Sequence, residues 1–132
     1  MEYVDSNVFI HPVLFNDDRA LRCRKLLCDI AGGDLKAVTS VLTWDEVVYA
    51  VSRTLGHEVA VRQGEMFLQF PNLRFREADT RILVKAQELV GTFKAKPRDA
   101  IHAATAMLCG ATTIISDDAD FDSITVVRRR PV

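Results

Sequence analysis

Acidic residues gather at three points that are far apart in this sequence. Asp5 follows the short apolar run that opens the chain, Asp99 lies near the start of an alanine-rich segment, and the group Asp117-Asp118-Ala119-Asp120 follows the β-branched run 112–115. Carboxylates brought together repel one another, and some take up protons unless a cation joins them. Carboxylate and water oxygens are the ligands that Mg²⁺ and Mn²⁺ prefer. If the fold collects these residues, they predict a divalent metal site.

A metal ion held by carboxylates can generate a hydroxide nucleophile and stabilise the charge of a phosphodiester under in-line attack. Taken singly, each aspartate has an alternative role as a helix cap or turn residue. The combination of the three clusters is what favours phosphodiester hydrolysis.

Strand and helix patterns alternate along the whole chain. We expect strands at 2–5, 36–40, 73–76, 112–115 and 124–127, and helices at 17–30, 43–55, 57–70, 79–93 and 98–109. This alternation predicts one domain over residues 1–132, a three-layer α/β/α sandwich with a mostly parallel central sheet of four to five strands. Because chemistry in open α/β sheets lies beyond the carboxyl ends of the strands, Asp5 and the 117–120 group should meet at that edge.

The helix predicted at 98–109 carries the third acid. Pro97 suits a first helical turn, where its missing N–H costs nothing, and Asp99 follows in that turn. Gly110 is placed to end the helix. Four alanines make the helix thin enough to approach a sheet closely: Ala100, Ala103, Ala104 and Ala106.

Two further residues each have two interpretations. Thr43 and Glu46 have the spacing of a capping box, in which Glu46 would bond the backbone N–H of Thr43, but a glutamate in a first turn can also face the strand ends. His102, one turn after Asp99, is either a general base or a packed, hydrogen-bonded residue.

Composition excludes several classes of protein. The chain has 17 basic and 18 acidic residues, a net charge of −1, which argues against a generally basic nucleic-acid coat. Local phosphate contacts are still expected from Arg98 and from a basic tail, Arg128, Arg129 and Arg130, whose alternative role is a solvated tail. No P-loop, G-x-G-x-x-G or G-x-S-x-G motif is present, so nucleotide-binding and serine-hydrolase functions have no support.

The expected compartment is the cytoplasm. The three cysteines include no C-x-x-C pair, so we expect buried free thiols in a reducing environment. The N-terminal residues lack the basic region of a signal peptide, and no apolar run reaches the length of roughly 20 residues that a membrane span needs.

Four segments together resemble one known family. YVDSNVFI, TSVLTWDEVVYA, RDAIHAATA and ISDDADF are similar in order and spacing to the motifs of the PIN domain, particularly of the small VapC-like toxin ribonucleases. The resemblance covers nearly the whole chain. It implies a PIN-like α/β/α sandwich, RNA cleavage dependent on Mg²⁺ or Mn²⁺, frequent homodimers and, for the toxins, inhibition by a partner antitoxin.

The resemblance also implies site residues. The family's acids fall on Asp5, Glu46, Asp99 and Asp118 as catalytic residues, with Asp120 beside them. Asp5, Asp99, Asp118 and Asp120 would be the metal ligands, while Ser6, Asn7, Ser116 and Asp117 would support them. The doubled aspartate at 117 and 118 leaves the position of the fourth ligand open by one residue.

The function expected from this resemblance is a metal-dependent endoribonuclease, the toxin of a toxin–antitoxin pair, with a metal-bound water as nucleophile. Two alternatives stay open at this point: a PIN-like nuclease in RNA processing without an antitoxin, and a PIN-like module that binds RNA or protein without cutting. A short neighbouring gene for a DNA-binding antitoxin would favour the first.

Overall fold

The structure is a computed structural model that describes all 132 residues. In chain order its elements are β1 (Glu2–Val4), α1 (Ser6–Leu14), α2 (Asp18–Ala31), β2 (Ala37–Ser40), α3 (Leu42–Leu55), α4 (His57–Leu68), β3 (Leu73–Arg76), α5 (Thr80–Phe93), α6 (Pro97–Leu108), β4 (Thr113–Ile115), a 3₁₀ helix (Ala119–Ser123) and β5 (Arg128–Arg130).

The five strands form one parallel sheet in the order β3-β2-β1-β4-β5. Strands β2 and β3 lie on one side of β1, and β4 and β5, which come later in the chain, lie on its other side. The strand order therefore reverses between β1 and β4, and the carboxyl ends of these two strands flank a crevice of the kind in which α/β proteins bind ligands. The predicted fold class, a three-layer sandwich with a parallel sheet, is confirmed.

Alternation along the central strands divides the core into two layers. Tyr3 and Ile114 face α5 and α6, whereas their neighbours Val4 and Ile115 face α1 to α4. All four side chains are completely buried. A strand with both faces buried needs an apolar residue at every position, which explains why these strands have no polar face.

The alanines of α6 allow it to lie close to the sheet. Ala100, Ala103, Ala104 and Ala106 are 0% exposed. The helix begins at Pro97, one residue before the predicted start, with the proline in its first turn as expected. Gly110 follows its end with φ +72°, a left-handed conformation that glycine adopts without strain.

Helix α1 is not among the predicted helices. It has only nine residues and contains Pro12, which removes one backbone donor. The helix forms because Asp5 caps its first turn and because Val8 and Phe9 are buried against the sheet. Tertiary packing here outweighs a weak local signal.

The last predicted strand is wrong in position. Residues 124–127 form turns in which Ile124 and Val127 are buried, and the strand that pairs with β4 is Arg128–Arg130. The three arginines are therefore an edge strand and not a tail. Charged side chains suit such an edge because they discourage pairing with other chains.

The cysteine prediction is partly wrong. The three thiols are free, but only Cys23 is buried, and Cys28 is exposed on the outer side of α2. None of the helices has the length and apolar content that crossing a membrane requires.

We predict that Ala104→Leu destabilises the fold. The added side chain has no space between α6 and the sheet, so the free energy of unfolding should fall by roughly 1–3 kcal/mol. Urea unfolding followed by circular dichroism measures this. Val84→Leu, at a helical position that is 58% exposed, is the control and should change stability little; an equal loss in both variants would mean that α6 does not pack tightly.

Candidate metal centre

Asp5 lies at the carboxyl end of the central strand and is almost entirely buried, with 5% of its surface exposed. Its Oδ1 accepts a hydrogen bond from the backbone N–H of Ser6 at 2.8 Å. Its Oδ2 accepts from the Asn7 amide at 3.0 Å and from the Ser116 hydroxyl at 2.6 Å. Burial raises the pKa of Asp5 above its ordinary value, although the charge of His102 and the hydrogen bond from Ser116 act in the opposite direction.

Ser116 and Asn7 connect the ends of β1 and β4. Besides contacting Asp5, the Asn7 amide donates to the Ser116 hydroxyl oxygen at 2.8 Å, and that oxygen also accepts from the backbone N–H of Asp118 at 3.0 Å. The hydroxyl therefore links the carboxylate on one strand with the loop that follows the other. These positions are the ones predicted to support the acids.

Asp99, Asp118 and Asp120 form the cluster most suited to a metal ion. One carboxylate oxygen from each lies within 4.8 Å of the others. Asp118 caps the 3₁₀ helix by accepting from the backbone N–H of Asp120 at 2.9 Å. Asp120 also forms an exposed ion pair with Lys96 at 2.7 Å.

The charge of this cluster is poorly compensated. Burial, together with the charges of Asp118 and Asp5, raises the pKa of Asp99 to about 6. A divalent cation would stabilise the ionised form of each of these carboxylates. The donor set consists of oxygen atoms alone, which fits a hard cation such as Mg²⁺ or Mn²⁺ better than zinc or copper.

Glu46 is not part of a capping box. Thr43 lies inside α3, and its hydroxyl contacts the Thr39 hydroxyl at 2.7 Å, so the capping interpretation is wrong. The Ser40 hydroxyl accepts from the backbone N–H of Leu42 at the start of the helix instead. The Glu46 carboxylate points to the strand ends, where Oε2 accepts from the Ser6 hydroxyl at 3.3 Å and Oε1 contacts His102 Nε2.

His102 is packed and hydrogen-bonded, with 1% of its surface exposed. Its Nδ1 contacts the Tyr3 hydroxyl, and its Nε2 lies 3.8 Å from Oδ1 of Asp5 in addition to contacting Glu46. Burial lowers the pKa of His102, but the hydrogen bond with Glu46 and the charge of Asp5 outweigh this effect, so the pKa lies above its ordinary value.

Asp117 points away from the acidic cluster. Its Oδ2 pairs with Arg19 of α2 at 3.0 Å, and its Oδ1 accepts from the backbone N–H of Val132 at 3.0 Å. Of the doubled aspartates, Asp118 is therefore the one whose carboxylate lies beside Asp99.

The basic residues differ in their availability. Arg129 pairs with Asp122 at 2.8 Å and Arg130 with Glu2, whereas Arg98 and Arg128 are exposed and form no ion pair. Sequence reasoning missed Lys96, although its position three residues before Asp99 could have suggested it. It also missed Tyr3, whose position two residues before Asp5 places both side chains on one face of the strand.

Comparison with known proteins agrees with this architecture. The family model described as the PIN domain matches residues 3–127. No curated protein matches the sequence.

Several solved structures share the fold. Mycobacterium tuberculosis VapC20, a toxin that cleaves the sarcin-ricin loop, is 17% identical with a TM-score of 0.76, covering 93% of this chain and 94% of its own. DNA-bound VapBC from Salmonella typhimurium is 17% identical with a TM-score of 0.75, covering 99% and 98%. FitAcB from Neisseria gonorrhoeae is 20% identical with a TM-score of 0.68, covering 98% and 96%.

We predict that Asp99→Asn stabilises the metal-free protein at neutral pH. The pKa of Asp99 is raised from 3.8 to about 6, so the folded protein holds this proton more tightly than the unfolded chain does. The stability of the wild type should therefore fall as the pH rises through this window. The amide cannot ionise, so the advantage of the variant should grow over the same window and be absent below it.

Urea unfolding in chelator on either side of the window measures this difference. Asp122→Asn is the matched control, because the ion pair with Arg129 lowers the pKa of Asp122 and its removal should bring no gain. An Asp99→Asn protein that is less stable than the wild type at neutral pH would contradict the account of uncompensated charge.

Proposed function

Because this chain belongs to the PIN domain family, we propose that it is a metal-dependent endoribonuclease and the toxin of a toxin–antitoxin pair. The observation that carries the proposal is the convergence of Asp5, Asp99, Asp118 and Asp120 at the point where the strand order reverses. A degenerate binding module could lose these carboxylates freely, so the intact set favours a nuclease over a non-catalytic module.

Asp99, Asp118 and Asp120 would hold the Mg²⁺ or Mn²⁺ ion. The buried carboxylate of Asp5 would add negative charge to the same pocket. When bound, the ion would activate a water molecule and stabilise the charge of the phosphodiester. The charge of Asp5 already acts on Asp99, as the raised pKa of Asp99 indicates. The hydrogen bonds that Asp5 accepts from Asn7 and Ser116 keep the Asp5 carboxylate fixed while the pocket changes charge.

Glu46 would complete the negative pocket from the opposite helical layer. Both of its oxygens accept hydrogen bonds, one from Ser6 and one from His102. The carboxylate is thus oriented before any ligand arrives. A glutamate with this orientation suits a role in positioning water or a second ion.

The RNA would be held by basic residues around the acidic pocket. Arg98 adjoins Asp99 and has no ion-pair partner, and Arg128 is free on the edge strand. Arg129 and Arg130 would have to exchange their ion pairs with Asp122 and Glu2 for phosphate contacts. Such contacts strengthen binding to all sequences without selecting one.

The antitoxin would occupy an apolar groove on the helical layer formed by α1 to α4. This groove has a volume of about 780 Å³ and is formed by residues of α1 to α4 and of the segment that follows α4, among them Phe9, Leu55, Met66 and Phe70, with Arg24 at its wall. A groove lined by apolar side chains fits the apolar face of a partner segment, and Arg24 could bind an acidic group on it. One solved structure with the same fold, 19% identical with a TM-score of 0.69, is described as a toxin–antitoxin complex from Klebsiella pneumoniae. A homodimer and a cytoplasmic location belong to the same proposal.

We expect cleavage of single-stranded RNA with Mg²⁺ or Mn²⁺, and loss of cleavage in Asp5→Asn and Asp99→Asn. An amide keeps the shape of the carboxylate but binds a hard cation poorly. Glu46→Gln should also lose cleavage while stability stays near normal. The measurement is cleavage of a mixed RNA pool with and without chelator, together with circular dichroism of each variant.

The control for these substitutions is Asp117→Asn, because Asp117 points to Arg19 and should be dispensable for cleavage. Full activity in chelator would refute the metal mechanism. Wild-type activity in Glu46→Gln would remove Glu46 from the site.

We predict that Met66→Lys weakens antitoxin binding and leaves RNA cleavage unchanged. Met66 lines the groove and is 62% exposed, so a charge there should disturb the partner more than the fold. Leu68→Lys is the matched control, since Leu68 is 58% exposed on the same helix but does not line the groove. Calorimetric titration with the product of a neighbouring short gene measures both; equal affinities would place the partner elsewhere.

A further inference from the structure

A line of hydrogen bonds runs from the middle of the sheet to the carboxylate of Glu46. The backbone N–H of Ser40 donates to the Tyr3 hydroxyl at 3.0 Å, and that hydroxyl contacts Nδ1 of His102. The opposite ring nitrogen, Nε2, contacts Oε1 of Glu46. Tyr3 and His102 are 0% and 1% exposed, so water does not compete for these bonds.

The direction of these bonds fixes the proton on Nε2. A carboxylate can only accept, so Nε2 must carry a hydrogen to bond Glu46. The Tyr3 hydroxyl accepts from Ser40 and bonds Nδ1, so both ring nitrogens have a partner within the protein. In either charge state of the ring, Nε2 is the donor to Glu46, and the bond at Nδ1 holds the ring in place.

The line also joins the two helical layers. His102 comes from α6 on one face of the sheet, and Glu46 comes from α3 on the other face. Their contact passes beyond the end of β1, beside Asp5. A free glutamate side chain loses rotamer entropy when a ligand fixes it. Here Ser6 and His102 already hydrogen-bond the two oxygens of Glu46, so the side chain is ordered before a ligand binds.

We propose that His102 is a positioning residue, which holds Glu46 toward the acidic pocket through Nε2–H while Tyr3 fixes the ring. The role rests on the proposed nuclease function, because Glu46 acts there. It differs from a general base, since both ring nitrogens are engaged within the protein. It also differs from ordinary core packing, because its effect must pass through Glu46.

The test is a double-mutant cycle between His102→Leu and Glu46→Ala, measured as Mn²⁺ affinity by calorimetry; RNA cleavage is measured only in proteins that keep Glu46, because Glu46 variants are expected to lose it. His102→Leu alone should lower kcat or Mn²⁺ affinity roughly 10–100-fold, with KM for RNA little changed. In the Glu46→Ala background, His102→Leu should cause no further loss. Equal losses in both backgrounds would overturn the proposal, because a structural role is additive.

Conservative variants keep the test independent of folding. His102→Gln retains an N–H donor near the position of Nε2 and should restore most of the loss, and Tyr3→Phe keeps the ring packed while removing the hydroxyl that orients His102. If His102→Leu does not fold, Tyr3→Phe replaces it in the cycle, and its effect should likewise be coupled to Glu46→Ala. Thr105→Val is the control: Thr105 is equally buried on α6, but its hydroxyl donates to the Ile101 carbonyl and should not be coupled to Glu46.

Failure of the proposed nuclease function can be distinguished from failure of the proposed role of His102. If the wild type cleaves no RNA, the proposed function falls, and the Mn²⁺ cycle still decides the role of His102. Coupling in Mn²⁺ affinity would support positioning of Glu46. Additive effects, or the absence of Mn²⁺ binding by the wild type, would overturn it.

Discussion

The buried carboxylate of Asp5 is the constraint on which the surrounding structure depends. A carboxylate that is 5% exposed and has no lysine or arginine partner is costly unless hydrogen-bond donors surround it. The donors are Ser6 and Asn7, which follow Asp5 in sequence, and Ser116, which follows the neighbouring strand. The site therefore requires β1 and β4 to be adjacent, as they are at the point where the strand order reverses.

The acidic pocket is assembled against its own electrostatic repulsion. Burial raises the pKa values of both Asp5 and Asp99, and neighbouring carboxylates raise that of Asp99 further, so the ionised pocket opposes folding. A cation that binds only the folded state offsets this opposition by mass action. In the proposed metal site, the same residues that lower stability in the absence of metal would give the folded protein its affinity for a cation. The tightly packed alanines of α6 and the apolar strands provide the stability that allows it.

Local sequence patterns were sufficient for most of the fold but not for residues that depend on tertiary contacts. Apolar periodicity correctly predicted β3 at Leu73–Arg76 and helix α6 with Pro97 in its first turn. It missed α1, which is stabilised by packing, and it placed the last strand too early, because the buried residues before β5 are more apolar than the strand itself. The capping pattern of Glu46 was misleading, since Thr43 bonds Thr39, a partner that only the fold brings near. The choice between Asp117 and Asp118 likewise depended on Arg19, which is distant in sequence.

Two short spacings explain how one strand and one helix supply both the acidic pocket and its support. Tyr3 and Asp5 are two residues apart, which places them on the same side of β1, and Asp99 and His102 are three apart, which places them on the same face of α6. The strand therefore presents a hydroxyl and a carboxylate to the helix, and the helix presents a carboxylate and an imidazole to the strand. The direct contact joins the hydroxyl to the imidazole, and beside it the carboxylate of Asp5 is buried while that of Asp99 is partly exposed. A shift of either element by one residue would separate Tyr3 from His102 and also Asp5 from Asp99. The packing that aligns Tyr3 with His102 therefore also sets the geometry of the two carboxylates.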